Sequence, residues 1–214
     1  MQKEAVKMEI IPVEYGKSVL PESMAYINGD KEKNCEIVFK VYLIKTDNKL
    51  ILTDAGCETM PGFIMRDFSG TVKAIENINV LPDKITDVII THAHHDHIEC
   101  VKYFKNAVIH IQKDEYESGK EYIPEDFTVN VFDNEFYVCD GVKIIKIGGH
   151  SKGSCIVEIS KDGKIYVVAG DECYLRGCLT KKIPTGSFVN QKASEDFIRK
   201  YSDSKYTVLL CHDE

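Results

Sequence analysis

The stretch "VIITHAHHDH" (residues 88–97) runs three β-branched apolar residues into four histidines and one aspartate. An unbroken apolar run of this length suits a strand buried on both faces, as in the parallel part of a sheet. The histidine cluster therefore starts just beyond a strand's C-terminal end, where α/β sheets place ligand sites. On a tight loop after that strand, His92 and His94 can point the same way and share one ion. Asp96 and His97 belong to the next turn and can face a second. Imidazole nitrogens combined with carboxylate oxygens suit zinc, and also iron or manganese.

Outward from this point the pattern stays regular. Upstream, "CEIVFKVYLIKTDNKLILTDAG" (residues 35–56) reads as two β-rich runs around the turn "TDNK". In "GTVKAIENINV" (residues 70–80), Val72, Ile75, Ile78 and Val80 recur at near-helical intervals, which predicts an amphipathic helix. Downstream, Ile98, Val101 and Phe104 predict a helix opened by the cluster itself. "AVIHIQ" reads as a strand and "KDEYESGK" as a short helix. From Phe127 on, strand follows strand, with Asp-Gly turn signals at Asp140-Gly141 and Asp162-Gly163. "SEDFIRKY" is expected to be a closing helix with Ser194 as its N-cap, and "YTVLL" a last strand ending at Cys211-His212. Helices between strands in each half, with many hairpins, predict an α+β fold. The expected form is an αββα sandwich of two mixed β-sheets with helices on the outer faces, forming one domain over residues 1–214.

A chain of 214 residues is long enough to bury a core without a metal staple, so a bound metal is expected to serve chemistry. The net charge of −7 and the lack of a basic run interleaved with aromatics speak against nucleic acid as a partner. No apolar run reaches the roughly 18 residues of a membrane helix, and "MQKEAVKMEI" lacks the apolar core of a signal peptide. The expected location is the cytoplasm. The eight cysteines include no Cys-x-x-Cys pair, and they are expected to be small buried residues rather than disulfides.

The other histidines extend the cluster. His150 in "IGGHSKGS", Asp171 in "VVAGDECY" and His212 in "LLCHDE" each follow a predicted strand, where a loop can converge on residues 92–97. His95 and His110 find no place in this scheme, and His110, inside a strand, is expected to be structural. Taken together, "LTDAG", "THAHHDH", "GGHSKGS", "AGDE" and "CHDE" occur in the order of the metallo-β-lactamase superfamily, which the chain resembles over nearly its whole length.

The resemblance implies a site with two Zn²⁺ per chain, or Fe or Mn in their place. His92, His94 and His150 would hold one ion; Asp96, His97 and His212 would hold the other, with Asp171 bridging. Asp54 would orient ligand imidazoles. A hydroxide bridging the two ions would attack a carbonyl, and Asp96 would carry a proton to the leaving group. Tyr174, three residues after Asp171, resembles the N-acyl homoserine lactonases, where a tyrosine at that offset helps orient the lactone carbonyl. The substrate implied is thus a small-molecule lactone or ester. The alternatives are a glyoxalase II-like thioesterase, a flavodiiron-like oxidoreductase or a non-catalytic metal-binding protein. Phe63, Ile64, Met65 and Phe68 form an apolar flap suited to an acyl-chain channel or to core packing. Cys173 and Cys211 flank the site and are not expected to ligate.

Overall fold

The structure, a computed structural model, describes residues 8–214; residues 1–7, on which the expectation of a leaderless N-terminus bears, lie outside the described residues. The run of residues 35–56 folds into β2 (Asn34–Lys45) and β3 (Leu50–Thr53), paired antiparallel and turned by Thr46 N–H donating to Lys49 O at 3.0 Å. A long strand, β1 (Glu9–Pro21), pairs with β2 on its other side. β4 (Asp87–Ile90), buried along its whole length, β5 (Val108–Gln112) and β6 (Thr128–Phe132) continue the sheet in parallel, giving the order β1-β2-β3-β4-β5-β6.

The second half forms a five-stranded sheet. In it, β7 (Glu135–Cys139), β8 (Val142–Lys146), β9 (Cys155–Lys161) and β10 (Lys164–Val168) are antiparallel, and β11 (Tyr206–Leu209) adds in parallel to β10. The turn between β9 and β10 puts Asp162 at φ 52° and Gly163 at φ 72°, the paired left-handed geometry that Asp-Gly favours in a hairpin.

Alternation along the strands sorts side chains into three apolar layers. Tyr42, Ile44, Ile51 and Ile89 meet Val142, Ile144, Val157 and Val168 between the two sheets. Their neighbours Leu43, Leu52, Val88 and Ile90 face the other way, onto Ala74 and Ile75 of α2 (Thr71–Asn77) and onto Val101 and Phe104. On the far face of the second sheet, Ile156 and Val167 pack against Cys178 and Leu179 of α5 (Arg176–Lys181) and Phe197 and Ile198 of α6 (Gln191–Tyr201). The result is an αββα sandwich. No helix among the described residues is long and apolar enough to cross a membrane.

Two local expectations need correction. The helix after the cluster is not continuous: α3 (His95–Ile98) ends at Ile98, whose φ of −127° leaves the helical region, and a 3-10 turn follows over Glu99–Tyr103. The neighbouring chain claims the backbone groups a longer helix needs. His97 O accepts from Ala55 N, Cys100 N donates to Gly56 O, and Asp96 O accepts from the Tyr15 hydroxyl. The N-cap of α6 is Asn190, whose side chain accepts from Ala193 N at 3.2 Å, and Ser194 lies buried inside the helix. Asn and Ser cap equally well in isolation, and the packing against Gly149 starts the helix one turn earlier.

His110 proves structural, as expected. Its Nε2 lies 2.9 Å from buried Asp87, which also accepts from Lys49 and Thr86. Burial alone would raise the Asp87 pKa, but the hydrogen bonds from His110, Lys49 and Thr86 outweigh it and bring the value to about 2. A depressed carboxyl stabilises the fold above its unfolded value near 3.8 and loses that contribution as pH falls through about 2. Asp87→Ala leaves buried His110 and half-buried Lys49 and Thr86 without their acceptor and is expected to cost about 3 kcal/mol at pH 7. Its deficit relative to the natural protein should shrink between pH 4 and pH 2, as read by urea unfolding. A deficit that stays flat across that range would rule this account out.

Candidate metal centre

The seven candidate donors named from the sequence converge from four segments, those that follow β4, β8, β10 and β11, into two adjacent groups. His92, His94, His150 and Asp171 form one, and Asp96, His97 and His212 the other, with donor atoms of each group within 4.8 Å of one another. His92 and His94 follow β4, His150 follows β8, Asp171 follows β10 and His212 follows β11, so both sheets feed the site from their C-terminal ends or the adjoining hairpin loop.

Partners behind the rings set which nitrogen faces inward. His150 Nδ1 sits 3.0 Å from Ser187 O, and His212 Nδ1 sits 3.0 Å from Val38 O, so both donate there and turn Nε2 to the centre. His97 Nδ1 lies 2.9 Å from Asp54 Oδ2, and His92 Nδ1 lies 3.2 Å from Thr91 Oγ1, with the same result. Asp54 in turn accepts from Thr91 N and Thr91 Oγ1 at 2.7 and 2.9 Å, tying the end of β4 to the His97 ring. It does so at φ 62°, a left-handed backbone that a non-glycine residue adopts only where its surroundings hold it.

The inward lone pairs then crowd. His94 Nδ1 is 3.0 Å from His92 Nε2 and 2.9 Å from His150 Nε2, and one imidazole proton there can satisfy only one of the two. Facing the other group, Asp171 Oδ1 lies within 3.2 Å of His97 Nε2 and His212 Nε2, yet all three buried atoms lack a well-aligned hydrogen bond. Buried polar atoms are otherwise almost always paired, and a cation supplies what these donors lack. The residues present therefore fit divalent metal.

Asp171 stands between the groups. Its Oδ2 lies 3.5 Å from His92 Nε2 and 3.4 Å from His150 Nε2, and its Oδ1 lies 3.2 Å from His97 Nε2 and 3.0 Å from His212 Nε2. Burial would raise its pKa, but His97, His212 and His92 outweigh burial and hold it well below the usual range. Burial likewise pushes His92 and His94 down, so these rings are neutral and ready to ligate. At His97 and His212 burial is overcome by Asp171, with Asp96 adding to it, and both values rise.

The donors open on a cavity of about 290 Å³, walled by Leu20, Met24, Ile37, Phe39, Met60 and Phe63. Tyr174 lines it as well, 7% exposed, its ring 5.9 Å from that of His150 and 5.2 Å from that of His212. Burial, with the charges of Asp171 and Asp96, pushes the phenol well above its ordinary value, so it remains a neutral donor. Of the expected flap residues only Phe63 reaches the cavity: Ile64 is 86% exposed, and Met65 and Phe68 pack over Gly16 of β1. Met60 was missed because it precedes Pro61-Gly62 in a loop without periodicity. His95 gains a contact no periodicity suggests, its Nε2 lying 2.9 Å from Thr59 O at the cavity rim. Cys173 and Cys211 are buried and stand outside both donor groups, and all eight cysteines are unpaired. Burial, with Asp54 next, pushes the Cys211 thiol up, away from the thiolate that ligation requires.

The family model for the metallo-beta-lactamase superfamily matches residues 40–211, which contain six of the seven donors. The chain belongs to that superfamily. A probable metallo-hydrolase of Methanocaldococcus jannaschii is 33% identical over 163 residues, covering 76% of this chain and 70% of that protein. An N-acyl homoserine lactonase of Bacillus cereus is 25% identical over 177 residues, covering 71% and 70%. The solved structure of an N-acyl homoserine lactone hydrolase, with N-hexanoyl-L-homoserine at its catalytic metal center, matches at a TM-score of 0.83. That match is 19% identical and covers 98% of this chain and 94% of the other, a likeness of fold.

Proposed function

We propose that this superfamily member is a dinuclear metal-dependent hydrolase acting on the carbonyl of a lactone or ester, with residues 8–214 working as one domain. The observation that carries the reading is Asp171, whose two oxygens each face a separate group of imidazoles at 3.0–3.5 Å. His92, His94 and His150 would hold one ion, Asp96, His97 and His212 the other, and Asp171 both. Zinc suits the nitrogen and oxygen donors best, and iron or manganese would fit the same set. When bound, two such ions lower the pKa of water toward neutrality and polarise a carbonyl oxygen.

The chain's own residues do the rest. Tyr174 offers its phenol hydrogen to the carbonyl oxygen from the cavity wall, which orients the ester and meets the negative charge that develops there. Asp96 lines the cavity with its side chain 11% exposed, and it can take up the proton released by the attacking water and pass it to the departing alkoxide. The apolar wall excludes water from one side and takes the acyl portion. Among the described residues the cavity lining contains no lysine or arginine, which suits an uncharged substrate better than the carboxylates of a glutathione thioester. Unpaired thiols throughout fit a reducing compartment, in keeping with a cytoplasmic enzyme.

The test is elemental analysis followed by a hydrolysis panel on the zinc-loaded protein. The panel should contain N-acyl homoserine lactones, simple lactones, aryl esters and S-lactoylglutathione. Two ions per chain and turnover of lactones or esters are expected. Preference for S-lactoylglutathione would move the assignment to a thioesterase, and no metal after reconstitution of folded protein would end it.

A further inference from the structure

Glu115 is not one of the seven donors, yet it touches both loops that carry the three histidines of the first group. It sits in α4 (Lys113–Gly119), directly after β5, where the Gln112 side chain accepts from Asp114 N at 2.6 Å and starts the helix. The Glu115 residue is 4% exposed. Its Oε2 accepts from Ala93 N at 2.8 Å, midway between His92 and His94. Its Oε1 accepts from Ser151 Oγ at 2.6 Å and Gly153 N at 2.7 Å, one and three residues past His150. The approach to the second loop is close enough that a Cβ at Gly153 would collide with Gln112 Oε1 and Glu115 Cγ.

We propose that Glu115 is a positioning residue of the metal centre, holding His92, His94 and His150 together through the backbones of their two loops. The inference rests on the two-ion reading above. Three donors converge on two carboxylate oxygens, an arrangement only a carboxylate satisfies: an amide has one acceptor, and its NH₂ would point at an N–H or O–H. The second group is anchored elsewhere. Asp96 is held by Tyr15, His97 by Asp54 and His212 by Val38 O, none of them through Glu115. Loss of Glu115 should therefore act on one ion and spare the other. A residue that merely supports the fold would weaken both or neither.

The experiment is zinc competition against a chelator on the full chain, for the natural protein, Glu115→Gln, Glu115→Asp and Ser151→Ala. Outer partners of metal ligands typically control about 10–100-fold in affinity, so Glu115→Gln should weaken one ion by that factor and leave the other within about threefold. Ser151→Ala removes one donor of three and should weaken the same ion by less. If Glu115→Gln fails to fold, Ser151→Ala and Glu115→Asp carry the test. In imidazole ¹⁵N NMR of the loaded protein, the signals of His92, His94 and His150 should change while those of His97 and His212 stay. Equal weakening of both ions, or none in any variant, overturns the inference and leaves the two-ion reading intact. Fewer than two ions in the natural protein overturns that reading, and this inference with it.

Discussion

Asp171→Ala is expected to release both metal ions and to lower hydrolysis by at least about 10³-fold, because one carboxylate is shared between the two donor groups. Alanine at any single histidine should spare the ion on the other side. Elemental analysis after dialysis separates these cases: the Asp171 variant should fall from two ions toward none, and His150→Ala toward one. Retention of one tightly held ion in Asp171→Ala would show that the carboxylate belongs to a single group. The metal-free protein offers a second reading of the same contacts. Asp171 raises the pKa of His97 and His212, so their contribution to stability is complete below about pH 6.5 and fades as pH rises through the raised values. That fading should be reduced in Asp171→Ala.

Tyr174→Phe carries the second largest expected effect. The substitution keeps the ring that packs near His150 and His212, so both ions and the fold should remain. What disappears is one neutral hydrogen-bond donor to the reacting carbonyl. Removal of a donor of this type costs roughly 10²–10³ in rate where the site is built around it, and about 10–10² is expected for a single phenol. The loss should fall on kcat with KM changed by less than about threefold, because the interaction strengthens as charge builds on the oxygen. Natural rates in the Phe variant on the best substrate of the panel would return Tyr174 to a packing role. The assignment to lactones would then lose its support within the site, while the two-ion reading would stand.

Much of this arrangement was legible in the chain alone. The buried strand before the cluster, the hairpin of β2 and β3, and the Asp-Gly turn before β10 follow from local apolar period and turn chemistry. The candidate donors His92, His94, His150, Asp171 and His212 stood out because each follows a strand by a few residues, where backbone geometry leaves side chains free to converge, and Asp96 and His97 lie one turn on in α3. Local pattern failed where a distant segment competes for the same backbone. Residues 95–103 carry helical spacing, but the loop of Ala55 and Gly56 and the Tyr15 hydroxyl capture their hydrogen bonds, and the helix breaks. Only the tertiary structure singled out Glu115 from Asp114, Glu117 and Glu121, its neighbours in an ordinary charged stretch. Whether a carboxylate is a ligand, a clamp or a solvated charge depends on which loops close around it, and that is set by contacts between residues far apart in sequence.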